Sequence, residues 1–573
     1  MTADVAPVTT ERSDPVTATQ SEELRRRARQ PSGRREPSRH GQSSGRRVTG
    51  WYVLAALTVV AVLLGLFLRI WILGHAPMNS DEATTGLVAH QILRGHFSAI
   101  TWGQSYGGVE AYVVAMGFLL FGQSPFVLDA TPAVLALVGC VLIWRIGRRL
   151  LAPAAGLVAG ALAWVWSESS LWNSTRETGY HEVQMVLALG FLLQGVRIVQ
   201  RNRDEGSDRW ADWVVLGLIG GVGAWASPEV VQIILPTGVF LVVNFRRRPL
   251  RWIGARAATV AAAALVGVSP WIWSTLHPTD RTPIPALEPF GGRLHTFSVH
   301  VLPMLLGLQV EGPGDWEGGR AFGFAVYGAL VALVVACSVV LVVRRRDAWV
   351  LVLALALYPF LYAASPAAWF WNDGRYGLTL TPLLSLVLIG GLWQLVRPGA
   401  VTWVAGAVLL LACLSTIVAF NDGFGAVSAP GRLTTFTSDP NTAVHALAGG
   451  LTGLHVTRAY AGYWVADDLT FESGGRIDAR SLTEATRNLP ASPQAGGGRT
   501  AWIFVPDSSM GALESQLGAT VGLDPGTLTG PGLTAWLDRH GITYTERSIA
   551  GFDVVVPSRT VSPAEIGVPV TAT

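Results

Sequence analysis

Apolar blocks at residues 51–73, 109–122, 128–144, 154–167, 180–196, 212–227, 230–245, 257–273, 321–343, 349–364, 376–396 and 401–420 dominate the chain. A helix needs about 20 apolar residues to cross the hydrocarbon core of a bilayer, and inside it each backbone polar group must be satisfied within the segment itself. Charged residues make up 14% of the chain, against about 25% in a soluble domain. The pattern therefore predicts an α-helical polytopic membrane protein and excludes an ordinary soluble enzyme. Cys140, Cys337 and Cys413 all fall inside apolar blocks, which excludes a disulfide framework or a paired-cysteine metal site.

Arginine orders the blocks. The chain has no lysine, so its 42 basic residues are all arginine. They cluster at Arg145/Arg148/Arg149, Arg197/Arg201/Arg203/Arg209, Arg246/Arg247/Arg248/Arg251 and Arg344/Arg345/Arg346, with a weaker site at Arg397. Cytoplasmic loops carry the excess of basic residues. Every strong cluster falls on that side if block 109–122 lies along the membrane or re-enters it and the other eleven blocks cross. The expected topology has eleven spans, in a multi-pass plasma-membrane protein with its amino terminus inside. Residues 1–48, poor in large apolar residues, are expected to be a disordered Arg-rich cytoplasmic tail. Residues 49–420 form the transmembrane domain, and 421–573 an extracytoplasmic small α/β domain. In that last region a helix is expected at 441–450, strand at 455–471, strand at AWIFVP, helix at SSMGALESQL and again at LTAWLDRHG, then strand through ITYTERSIAGFDVVVP. Loops are expected at 490–498 and 524–532.

This topology puts four polar loops on the outer face: 74–127, 168–179, 274–320 and 365–375. They hold most of the acidic residues and histidines away from the chain ends, which points to a site on that face. In the first loop, Asp81 and Glu82 begin a helix-like ATTGLVAHQIL. A pair of carboxylates there caps the helix or meets its dipole; equally, it can deprotonate a hydroxyl or hold a divalent cation. Arg69, near the outer end of the first span, is expected to snorkel to the interface or to line a site. In SESSLWNSTRETGYHEV, Arg176, Glu177, His181 and Glu182 stand at the entrance to a span. Positions 177 and 181 are expected to share a helix face, and they could contact a sugar or a metal. Glu229 is a further polar candidate at an outer boundary, and the loop 274–320 reads as a solvated segment or a cover over the site.

The order of these features resembles a known superfamily. The Asp-Glu pair just after the first span, a helix ending at Gly95, GQSYGG (103–108), an apolar helix ending FGQSPF, a span ending RIGRRLLAP, and NDGRYGLTLTPLL (372–384) are similar to the GT-C polytopic glycosyltransferases. The nearest branch is that of protein mannosyltransferases, aminoarabinose transferases and RgtA-like enzymes. The resemblance implies a GT-C-like fold with helix 109–122 laid along the membrane, and a cell-envelope transferase acting on a polyprenyl-phosphate-linked sugar. It maps the family's outer-loop carboxylate onto Asp81, with Glu82 as its neighbour and as cation ligand if a divalent cation is used. The candidate contacts for the donor's phosphate or sugar are Arg375, Tyr376, Tyr106, Gln104, Arg176, Glu177 and His181, with Glu82 as assistant to Asp81 in catalysis. The segment AYAGYWVADDLTFES is similar to outer domains of RgtA-like members. The absence of lysine and of a soluble insertion between spans departs from the best-known branches, so their acceptors do not carry over.

The chemistry is consistent with this. When an acceptor hydroxyl attacks an anomeric carbon and a lipid phosphate departs, an oxocarbenium-like state forms, as in glycoside hydrolysis. The step needs a base, for which Asp81 is the candidate, and an anion stabiliser. Arg375 offers a permanently charged bidentate donor for the phosphate, or else an interfacial anchor; Tyr376 offers a stacking ring or a belt aromatic. No glycine-rich phosphate loop lies in a strand-to-helix context, which disfavours a nucleotide-sugar or ATP site, and nucleic acid is not an expected partner. The expected partners are the lipid-linked sugar, membrane lipid, and a glycan, lipid or protein acceptor. The alternative is a polytopic transporter or lipid flippase, which predicts charged residues inside the bundle and broken helices.

Overall fold

Helices in hydrocarbon associate where small residues let their backbones approach, and two such crossings organise the protein. The computed structural model describes residues 40–76, 78–101, 107–277, 288–310, 314–365, 374–427, 440–483, 498–506 and 528–567. In chain order the helices are α1 (His40–His75), α2 (Ser80–Leu93), α3 (Val109–Phe121), α4 (Pro125–Leu150), α5 (Pro153–Val165), α6 (Glu168–Asn173), α7 (His181–Glu205), α8 (Trp210–Ala226), α9 (Val231–Phe245), α10 (Leu250–Leu276), α11 (Phe290–Thr296), α12 (Leu302–Leu305), α13 (Arg320–Arg344), α14 (Trp349–Ala364), α15 (Leu380–Leu395) and α16 (Val401–Val427). At the α4–α5 crossing, Gly156 lies so close that a Cβ would sit 2.6 Å from Trp144 O and Arg148 N. At α8–α10, Gly217 and Gly221 form a small-xxx-small pair; a Cβ on either would collide with the carbonyl of Val260 or Ala264.

All twelve apolar blocks are helical. Seven helices among the described residues are long and apolar enough to cross a membrane, and five shorter apolar ones accompany them: Val109–Phe121, Pro153–Val165, Trp210–Ala226, Trp349–Ala364 and Leu380–Leu395. The first is the block read as lying along the membrane; the other four belong to the eleven expected spans. Helix α1 begins at His40, inside the segment read as tail. The three cysteines are free, Cys337 and Cys413 fully buried.

The arginine clusters meet at one end of the bundle. Arg149 donates to Gln200 (3.0 Å), Arg248 to Asn202 (2.7 Å), and Arg203 holds both oxygens of Asp347 (2.7 and 3.0 Å). Arg344 bonds the carbonyl of Gln394.

The loop 274–320 is not simply solvated. From 290 it is largely helical, continuing from α11 through a wide turn, Phe297–Val301, into α12. Phe297, Val301 and Leu305 are buried, Phe297 against the rings of Tyr358 and Tyr362 on α14. Apolar side chains every four residues gave it a face to bury.

After α16 comes a small α/β domain: α17 (Pro440–Gly453), β1 (Val456–Ala461), α18 (Tyr463–Glu472), β2 (Asp478–Ser481), β3 (Arg499–Phe504), α19 (Gly530–Arg539), β4 (Tyr544–Ile549) and β5 (Phe552–Pro557). The sheet order is β2-β1-β3-β5-β4, with β2, β1 and β3 parallel and β5 and β4 antiparallel. Ala459 pairs with Ala479 on one side and Ala501 on the other. Leu447, Leu451 and Leu469 cover one sheet face with Ile503 and Val554; Leu533 and Leu537 cover the other with Trp502 and Val555. The stretch 455–471, read as strand, splits at Gly462 into β1 and α18. Its aromatic and β-branched content mimics a strand, but Asp467 and Asp468 need polar partners that a helix face can meet on a neighbouring element. The loop read at 524–532 gives way at Gly530 to α19, capped by Thr529 Oγ1 accepting from Gly532 N (3.1 Å). The SSMGALESQL segment lies outside the described residues.

Candidate functional site

Helix α2 starts with a capping box that uses Asn79 and Glu82 and leaves Asp81 out. Asn79 Oδ1 accepts from Glu82 N, and Glu82 Oε2 accepts from Asn79 N, both at 3.2 Å. Between them Asp81 projects from the first turn with its side chain 17% exposed. Its Oδ2 lies 3.4 Å from Arg375 Nη1. Its Oδ1 accepts the phenol hydroxyl of Tyr463 at 2.6 Å.

Arg375 and Tyr376 lie on a 3₁₀ turn, Gly374–Gly377, ahead of α15. The guanidinium sits over the Tyr376 ring at 5.2 Å. His181, the first residue of α7, meets that ring edge-on at 5.2 Å. Asp81, Arg375, Tyr376 and His181 thus converge from three distant segments, at the opposite end of α7 from the arginine clusters.

Glu82, Arg176 and Glu177 make a second, drier cluster. Glu82 is fully buried and holds Arg176 Nε at 2.5 Å. Burial pushes the Glu82 carboxyl well above the usual carboxylate range, opposed by Arg176. Arg176 also rests over the Trp172 ring at 4.8 Å. Glu177 does not share a helix face with His181. Gly179 takes φ +120°, and α7 begins only at His181, so Glu177 lies in the preceding turn. There its amide donates to Asp129 Oδ1 and its Oε1 accepts from Gly179 N, each at 3.3 Å. Burial, reinforced by Glu110, raises its pKa well above 4.5.

Arg69 does not snorkel. It is 3% exposed, stacked 3.7 Å from the Trp164 ring, and donates to Ser174 Oγ (3.0 Å) and Trp164 O (2.8 Å), pinning the segment 168–179. Glu229 accepts from Ser365 Oγ at 3.1 Å. Gln104 and Tyr106 lie outside the described residues. Sequence reasoning missed Tyr463, Glu110 and Asp129. A lone acid in each of the apolar runs VEAYVVAMGFLLF and PFVLDATPAVL was the available signal for the last two. Tyr463 lies within AYAGYWVADDLTFES, singled out above for its resemblance, but nothing in that segment marks this residue among its neighbours.

Among the described residues no group of three or more His, Cys, Asp or Glu side chains is placed to hold a metal ion. The Asp81–Glu82 pair does not converge as a donor set. The oxygens of Glu82 face Asn79 N and Arg176, and those of Asp81 face Tyr463 and Arg375.

The fold is thus an apolar helical bundle with an ion-paired site at one end and a small α/β region after its last helix. The family model described as dolichyl-phosphate-mannose-protein mannosyltransferase matches residues 108–273. The crystal structure of ArnT from Cupriavidus metallidurans in the apo state superposes with a TM-score of 0.55 at 15% identity, covering 89% of this chain and 98% of that one. The same protein bound to undecaprenyl phosphate gives 0.54 at 14% identity, with the same coverage. No protein of curated function matches the sequence. Over residues 108–273 the chain is thus similar to that mannosyltransferase family, and over most of its length it shares the fold of ArnT.

Proposed function

We propose that the protein moves a sugar from a polyprenyl-phosphate carrier to an acceptor hydroxyl on the extracytoplasmic face of the plasma membrane. The observation that carries this reading is the Asp81–Arg375 pair, an anion and a cation 294 residues apart in sequence, 3.4 Å apart in space and part-exposed at the end of the bundle away from the arginine clusters. ArnT, whose fold the chain shares, binds undecaprenyl phosphate, and a carrier of that kind is the donor proposed here. The arginine clusters and the positive-inside rule support an inside amino terminus and an outside carboxy-terminal domain.

In the transfer step the acceptor oxygen attacks the anomeric carbon while the bond from that carbon to the phosphate oxygen breaks. The hydroxyl proton passes to Asp81, and the electron pair leaves with the lipid phosphate. A carboxylate has about four lone-pair sites, so Asp81 retains room for the hydroxyl beside Tyr463 and Arg375. Arg375, with five N–H donors, turns from Asp81 to the phosphate as negative charge gathers there. His181 and Tyr376 border the same space and supply an edge and a face for the sugar. No step is routed through a cation. The glycan, lipid or protein nature of the acceptor follows from the acceptor that is labelled in the test.

The test is transfer from a polyprenyl-phosphate sugar by the purified full-length protein in lipid. Asp81→Asn should fold and bind donor but lose about 10²- to 10⁴-fold in turnover, as for loss of a general base. Arg375→Ala should weaken both donor binding and turnover. Near-normal transfer by Asp81→Asn at saturating donor would eliminate Asp81 as the base.

A further inference from the structure

Tyr463 reaches Asp81 from 382 positions further along the chain. It opens α18 and is 1% exposed. Its amide donates to Thr483 Oγ1 (2.9 Å), and its carbonyl accepts Ser80 Oγ (2.5 Å). One turn on, Asp467 Oδ2 accepts Thr84 Oγ1 (2.6 Å). A further turn on, the Phe471 ring lies on Gly86, where a Cβ would leave it no room. Successive turns of α18 thus lie against successive turns of α2, and the phenol can reach only the first turn, where Asp81 stands.

The sheet topology gives this placement a reason. From β1 the chain goes through α18 to β2 on one side, then returns to β3 on the other. The carboxyl end of β1 is therefore a topological switch point, where open α/β sheets form their ligand crevices. Ala461, Gly462 and Tyr463 occupy that point, and it faces the membrane site.

We infer that Tyr463 is a positioning residue for the Asp81 carboxylate, so that the outer domain supplies part of the transfer site. The inference rests on the proposed function. A hydroxyl donating to a carboxylate makes a short, charge-assisted bond. It holds Oδ1 and leaves Oδ2 on the Arg375 side. A catalytic group must be kept within about 0.5 Å of its productive position, and the Tyr463 hydroxyl fixes one Asp81 oxygen while Arg375 lies against the other. Tyr463 makes and breaks no bond to the sugar.

Tyr463→Phe in the full-length protein keeps the ring and removes only the O–H. The expected result is a kcat about 10-fold lower or more, the loss typical of one hydrogen bond to a charged group, with donor KM within about twofold. Thr84→Val removes the neighbouring contact between the same helices without touching Asp81, and should leave both constants within about twofold. Equal slowing by the two variants would reduce the effect to docking and overturn the inference. So would a Tyr463→Phe protein as fast as wild type or faster, since a faster one would mean that the phenol blocks the acceptor. Infrared difference spectra read the contact without activity. The carboxylate band that disappears in Asp81→Asn should shift in Tyr463→Phe and stay in place in Thr84→Val; an unshifted band overturns the inference. A band that shifts in Tyr463→Phe, while the wild-type protein transfers no sugar, would instead remove the proposed function and leave the contact standing.

Discussion

The two ends of α7 both gather arginines and use them in opposite ways. At the end bearing Glu205, Arg203 is 41% exposed and its partner Asp347 16%. At the His181 end, Arg176 is 4% exposed and Glu82 not at all. A solvated charge loses little when its partner goes, whereas a buried one is left without water or counter-charge. The exposed end therefore constrains the number of arginines more than the partner of each. The buried end constrains which residue faces which.

The sharpest way to break this comparison is Arg176→Ala. Glu82, Asp129 and Asp468 all feel this guanidinium, and removing one partner of a buried pair costs about 3–5 kcal/mol. Expected is a large fall in folded yield and melting temperature in detergent. Replacing both partners, Arg176→Met with Glu82→Gln, should recover part of it, because no buried charge is then orphaned. Single and double variants of equal stability would show that the pair is not what holds this end.

Glu177 gives a smaller effect with a definite sign. Its folded pKa lies well above 4.5, so folding favours the protonated carboxyl. The stability this contributes is fully present below about pH 4.5 and is lost as pH rises through the folded pKa; each unit of elevation amounts to about 1.4 kcal/mol. Glu177→Gln cannot ionise. Its melting temperature should gain on wild type as pH rises from about 5 to 9. Parallel curves for the two proteins would show that Glu177 ionises as easily folded as unfolded.

What was legible follows the same division. The apolar blocks predicted the bundle because hydrocarbon permits helices and little else, and the arginine clusters were legible as one end of it because charge stays in solvated loops. Asp81 and Arg375 were legible because a family arrangement places them, and Asp81 also because it opens a helix. The capping box was half legible: the sequence offers Glu82 as a cap residue, but its partner in the box is Asn79 and Asp81 takes no part. Arg69 misled because span-end arginines commonly reach the interface; only the fold shows Trp164 beneath it. Residues 455–471 misled because strand and buried helix share their apolar composition, and Gly462 was the sole punctuation. Tyr463 lay beyond sequence reasoning, since its role depends on the docking of α18 against a helix some 380 residues earlier.

The smallest effect belongs to Arg203→Ala. Arg203 and Asp347 meet through two hydrogen bonds, at 2.7 and 3.0 Å, a geometry that is strong when dry. Here water competes for the guanidinium, and holding a long side chain in one orientation costs rotamer entropy, so an exposed pair contributes about 0.2–1 kcal/mol. The expected change in melting temperature is therefore small. It should shrink further in salt, because ions screen solvated charges; the loss in Arg176→Ala should persist in the same salt, because its pair is dry. A loss in Arg203→Ala as large and as salt-resistant as that of Arg176→Ala would mean that water does not reach this end of α7. The opposition between a solvated end that constrains numbers and a buried end that constrains partners would then fail.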